Sequence, residues 1–511
     1  MINRKTQLTL NKAFTIAQVD RRLYGTFIEP IRQIIYGNLY QPGHATANEL
    51  GFREDVLQLL KELNTTLIRF PGGNYVSGYH WRDGIGPKEN RPVRFDKAWR
   101  QIGTNQVGID DYMDCLSLIG AEPMLAVNLG TGSAEEAADE VEYCNFNGGT
   151  VLSDLRISNG HIAPHIIRLW CLGNEMDGDW QVDQKTAERY GQIAREAAKQ
   201  MKWVDPGIEA VACGSCTNEI ATYAEWDRIV LEQCYEQIEY LSLHRYYSYD
   251  PSKFMVFNSP FTIEDISYIA QDLTDYLETV VAAADYVRGK KHLDKRIHIS
   301  FDEWGVQTCH TVQPKGLDWN ERTGMDESNG QRISNMVDAI LYGSFLITFL
   351  NHCDRVKIAC ESIVIGAMIA VTPDTAPFKQ TTFFPFQHVA TYGNGVALRQ
   401  SHESAMVQTE HYGERPAVQT AAIYDQEDGM VTIFAVNMDL REHHTLVCDL
   451  QGFGEMNLVE HLQLWDTQPM ACNSLSNPHR IEPHYVPIER DKDIKLPPLS
   501  WNVLRYNQIK K

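Results

Sequence analysis

No run in this sequence is long and apolar enough to span a bilayer. The N-terminus, Met1-Ile2-Asn3-Arg4-Lys5-Thr6, lacks the apolar core of a secretory signal. Together these absences set the expectation of a cytoplasmic protein with no membrane partner. Positive charge is in deficit: 46 Lys and Arg against 67 Asp and Glu give a formal charge of -21. A nucleic-acid partner would want a basic face, so none is expected. Paired cysteines are missing too. The eleven cysteines are an odd number, and Cys115, Cys171, Cys234 and Cys360 sit inside apolar segments, as reduced buried thiols do. Cys213-Gly-Ser-Cys216 has no second pair nearby and reads as a strand end. A compact metal-ligand cluster is also lacking. His161 and His165 have helical spacing, but Pro164 between them argues against a helix, so surface or structural histidines are expected. Neither a metal nor a cofactor is expected.

What is present is an ordinary globular composition, 43% hydrophobic and 22% charged, over 511 residues. That length suits one large and one smaller domain. Gln7 to Val19 alternates apolar and polar residues, as a half-exposed strand does. From Leu23 short apolar strands alternate with amphipathic helices. The strands are Leu23–Ile28, Thr65–Phe70, Pro123–Val127, Ile166–Leu172, Ile208–Cys213, Ile238–Leu243, the run from Ile297, and Arg355–Ala359. Eight such repeats with polar residues at the strand ends predict a TIM barrel. A doubly wound sheet would want a Gly-rich phosphate loop after strand one, and none is there. After about Pro385 short strands and polar turns predict an all-β sandwich, which the first strand could join. The expected division is 1–20 with the sandwich, 21–384 as the catalytic barrel and 385–511 as the sandwich.

In a barrel the residues beyond the strand C-termini face one mouth. Collected in order they are Glu29, Arg69, Asn74, Asn128, Asn174, Glu175, His244, Tyr246 and Glu303. The fourth and seventh strands each deliver a glutamate, Glu175 and Glu303, and a carboxylate pair is the minimum equipment for glycoside hydrolysis. Retention of configuration needs the two carboxyl groups roughly 5–5.5 Å apart. A cation such as Arg69 would keep the nucleophile ionised, and burial would keep the acid protonated.

Four stretches carry a family resemblance: Arg69-Phe-Pro-Gly-Gly-Asn74-Tyr-Val-Ser-Gly-Tyr, Trp170-Cys-Leu-Gly-Asn-Glu175-Met-Asp-Gly, Leu243-His244-Arg-Tyr246-Tyr and Ser300-Phe-Asp-Glu303-Trp. They resemble glycoside hydrolase family 51, the α-L-arabinofuranosidases, and the similarity runs to Trp501-Asn502-Val503. The resemblance implies a retaining exo-enzyme acting on arabinofuranose-containing oligosaccharides, with Glu175 as acid/base and Glu303 as nucleophile. It implies Glu29, Asn74 and Asn174 around the furanose, Arg69, His244 and Tyr246 positioning the nucleophile, and Trp99 as a subsite aromatic. A homo-oligomer, frequently a hexamer, is implied as well.

Three places depart from that pattern. Ile363 stands where a glutamine is common after strand eight, with Glu361 close by as a polar candidate. Gly305 and Gln307 follow the nucleophile in place of Asn and an aromatic. Arg245 replaces a glutamine. Losing one hydrogen bond to a sugar can shift preference by about tenfold or more, so β-D-galactofuranoside and β-D-xyloside remain rival substrates. The long loop Cys309 to Ser328, carrying Trp319, is a candidate lid.

Overall fold

The computed structural model describes residues 4–249, 261–306, 333–488 and 493–508. Gln307 and the Cys309 to Ser328 loop with Trp319 lie outside them.

Eight parallel strands close into a barrel. They are β1 (Gly25–Phe27), β2 (Leu67–Phe70), β3 (Glu122–Val127), β4 (Leu169–Leu172), β5 (Glu209–Cys213), β6 (Tyr240–Tyr247), β7 (His298–Val306) and β8 (Val356–Glu361). Each pairs with the next, and β8 returns to β1. The first strand is shorter than its apolar run because Arg21–Tyr24 forms a 3-10 turn capped by Asp20. Gly25 is needed where β1 meets β8, since a Cβ there would lie 2.7 Å from the Ala359 carbonyl oxygen. The interior is filled by side chains including Phe27, Leu67, Met124, Leu169, Val211 and Ile358, so the barrel is a packed core and not a pore. Its lower end is closed by charge. Arg22 bridges Glu122 at 2.6 Å and Glu209 at 3.1 Å, the first residues of β3 and β5.

Around the barrel run α1 (Glu54–Leu63), α2 (Ile109–Ile119), α3 (Ala134–Asn145), α4 (Val151–Ser158), α5 (Ala187–Val204), α6 (Glu225–Cys234), α7 (Ile266–Lys291) and α8 (Met336–Asn351). Side chains cap the first turns of α5 and α8. Thr186 accepts from Arg189 N ahead of α5, and Asn335 accepts from Asp338 N ahead of α8. A further helix, Phe383–Tyr392, runs through the point where the sequence texture changes. Pro385 lies in its first turn, where a missing N–H costs nothing.

Beyond it, among the described residues, nine strands form one continuous sheet. The N-terminal strand Lys5–Gln18 is part of it, antiparallel to Val396–Glu403 and parallel to His444–Gln451. Val396–Glu403 meets Val418–Asp425 only at Val396↔Tyr424 and Ala397↔Ile423. The sheet folds over at that corner. Leu8, Leu10, Leu398 and Leu446 from one half then share a core with Val418, Val431, Ile433 and Leu504 from the other.

Helix α8 joins the two layers. From Met336 to Leu350 every residue is buried, so it lacks the polar face of its neighbours. Its polar groups bond the sheet: Ser344 Oγ donates to Gln419 at 2.7 Å and Asn351 Nδ2 to the Thr420 carbonyl at 2.9 Å. Closest approach occurs at Gly343, where a Cβ would lie 2.5 Å from the Trp501 ring and 3.0 Å from Val436. An alanine inside a helix normally stabilises by about 1 kcal/mol over glycine. Here Gly343→Ala is expected to lower the unfolding free energy by about 1–3 kcal/mol through overpacking. A urea midpoint at or above that of the parent would refute this contact as the limiting one.

Candidate catalytic site

The upper ends of β2, β4, β6 and β7 converge on one buried guanidinium. Arg69, inward-facing on β2 and 1% exposed, donates from Nη1 to Glu303 Oε1 at 2.7 Å and from Nη2 to Asn174 Oδ1 at 2.8 Å. Its Nε lies 3.8 Å from Asp302 Oδ2, and its face covers the Phe27 ring, 5.0 Å from the centroid. Asp302 and Glu303 are consecutive, and successive side chains on a regular strand point to opposite faces. Register breaks between Ser300 and Glu303 against β6, and between Phe301 and Trp304 against β8, locally relieve that rule. Both carboxylates therefore reach the same cation, a common use of an irregular strand beside a site.

Glu303 is held on both oxygens. The Tyr246 hydroxyl donates to Oε2 at 2.6 Å, and Ser362 Oγ lies 2.7 Å from that same hydroxyl. Burial first, and then the charge of Glu303, raises Tyr246 well above its ordinary value, so it stays a neutral donor.

Opposite stands Glu175. After β4 the chain turns sharply: Gly173 has φ 89° and Glu175 φ 44°. A left-handed glutamate is uncommon, and such strained backbone clusters at functional sites. Glu175 Oε2 accepts from Trp180 Nε1 at 2.7 Å, and Oε1 is 2.9 Å from His244 Nδ1. The other ring nitrogen of His244 is 3.0 Å from Asp302 Oδ1, which also accepts from Ser242. Burial opposes charge on His244, but Glu303, Asp302 and Glu175 outweigh it and push the ring up to about 10. Asp302 moves the other way: burial would raise it, while Arg69 and His244 bring it below its ordinary value. One oxygen each of Glu175 and Glu303 and a nitrogen of His244 lie within 4.8 Å of one another. A protonated imidazole has no lone pair to offer, so this trio reads as an ion network and not as a metal cage.

Glu29 lies beside these groups at the end of β1. Its Oε1 accepts from Tyr75 N at 2.8 Å and from Trp99 Nε1 at 2.9 Å. Burial and then the charge of Glu303 push it up to about 8 despite those donors. Gly72 and Gly73 make room for it, since a Cβ on Gly73 would come within 2.5 Å of Glu29 Oε2. Asn74 follows directly and accepts from Asn174 Nδ2 at 3.4 Å.

The strand-end set is thus mostly gathered at one mouth, while three sequence-derived candidates, Asn128, Arg245 and Glu361, are turned elsewhere. Asn128 spends its amide on the Tyr79 carbonyl of the segment after β2 and on Thr131 and Gly132 of its own loop. Arg245 points away from His244 and Tyr246 and pairs with Glu219 and Asp272, so its departure from the pattern does not line the mouth. Glu361 is likewise turned outward, accepting from Tyr342 on α8. Ile363 packs against the interior cluster. Four contributors escaped the sequence reading: Asp302, Ser242, Trp180 and Ser362. Only Trp180 left a visible signal, as an aromatic just beyond the acidic turn.

Residues 59–259 match the model of the alpha-L-arabinofuranosidase 1 domain, and residues 302–500 match the alpha-L-arabinofuranosidase C-terminal domain. An intracellular exo-alpha-(1->5)-L-arabinofuranosidase of Halalkalibacterium halodurans is 41% identical over 98% of this chain and 98% of its own. An exo-alpha-(1->6)-L-arabinofuranosidase of Bifidobacterium longum is 36% identical over 98% of this chain and 97% of its own. A solved family 51 alpha-L-arabinofuranosidase from Bifidobacterium longum superposes with a TM-score of 0.92 at 36% identity, covering 99% of this chain and 100% of that one.

The charged His244 has a consequence for stability. With its folded value near 10 against an ordinary 6.5, its contribution is full below about pH 6.5 and is lost as the pH rises through about 10. Urea unfolding followed from pH 6 to pH 10 should show a steeper loss in the parent than in His244→Gln. Parallel curves would rule out a charged His244 as the source.

Proposed function

Because the chain belongs to glycoside hydrolase family 51, the α-L-arabinofuranosidases, we propose that it is a retaining exo-enzyme releasing terminal α-L-arabinofuranosyl residues from arabino-oligosaccharides. The observation that carries the mechanism is the short reach between the carboxylates, whose nearest oxygens lie within 4.8 Å. So short a reach supports the retaining class, since inversion needs the carboxyl groups roughly 6.5–9.5 Å apart to hold a water between them.

Glu303, fixed by Arg69 and Tyr246, attacks the anomeric carbon while Glu175 gives its proton to the departing oxygen. The bond to the aglycone breaks and a glycosyl ester forms on Glu303. Glu175, now ionised, takes a proton from water, and the hydroxide attacks the same carbon and frees Glu303. Two inversions retain the configuration. Arg69 suits the nucleophile because its charge is permanent, whereas the cation beside Glu175, His244, can itself titrate. Glu29, Asn74, Asn174 and Trp99 are assigned to the furanose and its neighbouring subsite.

Linkage and compartment rest on the relatives' names. An intracellular enzyme acting on (1->5)-linked oligosaccharides is the reading, with (1->6) linkage as the competing arm. One residue favours a second sugar: apolar Ile363 where an amide is common leaves a ring hydroxyl or oxygen without that partner. The assembly is assigned as a homohexamer, which light scattering reads directly; a monomer or dimer mass would overturn it.

Initial rates on aryl α-L-arabinofuranoside, β-D-galactofuranoside and β-D-xyloside, together with (1->5)- and (1->6)-linked arabinobiose, test the assignment. The arabinofuranoside should lead. Glu303→Ala should fall by about 10⁴-fold or more, and Glu175→Ala by about 10²–10⁴-fold with azide restoring turnover of an activated substrate. Full activity of either variant on an oligosaccharide would sink the catalytic pair. A faster rival sugar would sink only the specificity.

A further inference from the structure

Outside the catalytic mouth a second cluster gathers two imidazoles and a carboxylate. His161 and His165 lie on the loop between α4 and β4, and Asp110 is in the first turn of α2. His165 Nε2 is 2.8 Å from Asp110 Oδ1, and His161 Nε2 is 4.0 Å from the same oxygen. The two rings are 5.1 Å apart between centroids. One donor atom from each residue can be chosen so that all lie within 4.8 Å of one another. Pro164 does prevent a helix, but the loop itself turns both rings toward Asp110.

The scaffold around them is fixed. Arg156, fully buried, donates to the carbonyls of His161 at 3.0 Å, Tyr143 at 2.8 Å and Phe146 at 2.7 Å, and so pins the start of the loop. At its far end His165 N bonds the Cys144 carbonyl at 2.8 Å, and Asn145 exchanges two hydrogen bonds with Ile167. The second oxygen of Asp110 is held by the Tyr143 hydroxyl at 2.6 Å, which in turn accepts from Asn159. Held donors with a satisfied outer shell distinguish a built site from a chance meeting of polar groups. Asp114, one turn along α2, belongs to the same neighbourhood: burial raises its carboxyl, and His161 and His165 draw it back.

We propose that Asp110, His161 and His165 bind a divalent transition ion of the zinc type, which ties the loop before β4 to α2. Two imidazoles and one carboxylate suit such an ion, with bonds of roughly 2.0–2.2 Å, whereas calcium and magnesium want an oxygen shell. The present donor separations bracket the roughly 3.3 Å edge of a tetrahedron built on those bonds. The His161 side chain is 23% exposed and opens an edge of the site to solvent, giving an entry path and a fourth position for water. The site shares no residue with the catalytic mouth, so its role is structural.

Zinc and cobalt ions themselves are the probes, on full-length protein freed of affinity tags and treated with chelator. Calorimetric zinc titration and the visible absorption of cobalt should report one ion per chain, and zinc should raise the Tm. His161→Ala, at the exposed edge, should weaken binding by at least about tenfold and abolish the Tm gain, with turnover of an aryl glycoside unchanged. Asp110→Asn should do the same while keeping the shape of the side chain. Absence of stoichiometric binding overturns the proposal. Binding that survives both His161→Ala and His165→Ala but is lost in Glu175→Gln also overturns it, by moving the ion to the catalytic trio.

Discussion

The catalytic mouth depends on the burial of one guanidinium. Arg69 is withdrawn from water and must be compensated, since an isolated buried charge would cost several kcal/mol. Its partners come from different strands: Asn174 just past β4, and Asp302 and Glu303 on β7. Removing either carboxylate leaves the guanidinium under-compensated, and removing Asn174 leaves a buried N–H without its acceptor. The strand ends are thereby locked to each other by the group that would hold the nucleophile ionised. Arg69 also settles the conformation of Asn174, and so of the turn that presents Glu175.

Charge in the mouth is arranged as an almost closed account. Arg69 and His244 supply two cations, and Asp302, Glu303 and Glu175 supply three carboxylates, with Glu29 pushed up to about 8 and so neutral at pH 7. The two cations thus leave one carboxylate charge in excess in the mouth. Asp302 matters here without touching the reaction. It fixes the His244 ring from behind, so that the face toward Glu175 carries a proton donor.

How much of this was readable beforehand follows from which rules are local. Strand ends are marked by where an apolar run stops, so Arg69, Glu175, His244, Tyr246 and Glu303 could be collected without a structure. Asp302 could not, because its part depends on an irregularity in β7 that suspends the alternation of faces. Alternation does explain why Arg245 and Glu361, adjacent to site residues, turn to α7 and α8 instead. The helix Phe383–Tyr392 at the change of texture was not legible, since a proline in the first turn of a helix is tolerated. His161 and His165 show the same limit from the opposite side. Pro164 ruled out a helix as the way of bringing them together, but a pinned loop provides another.

The β8 end separates catalysis from specificity. Serine at 362 faces the mouth and supports the Tyr246 hydroxyl, which bonds Glu303. Isoleucine at 363 offers only apolar surface, and Glu361 is spent on Tyr342. So the segment that departs most from the family pattern still supports Glu303 through one hydroxyl, while Ile363 offers no polar group beside it. A substrate whose hydroxyl required a polar contact there would lose affinity in the ground state and transition state alike, and the machinery on Glu303 would be untouched. A change of side chain at 363 can therefore proceed at this strand end without disturbing the Arg69 network.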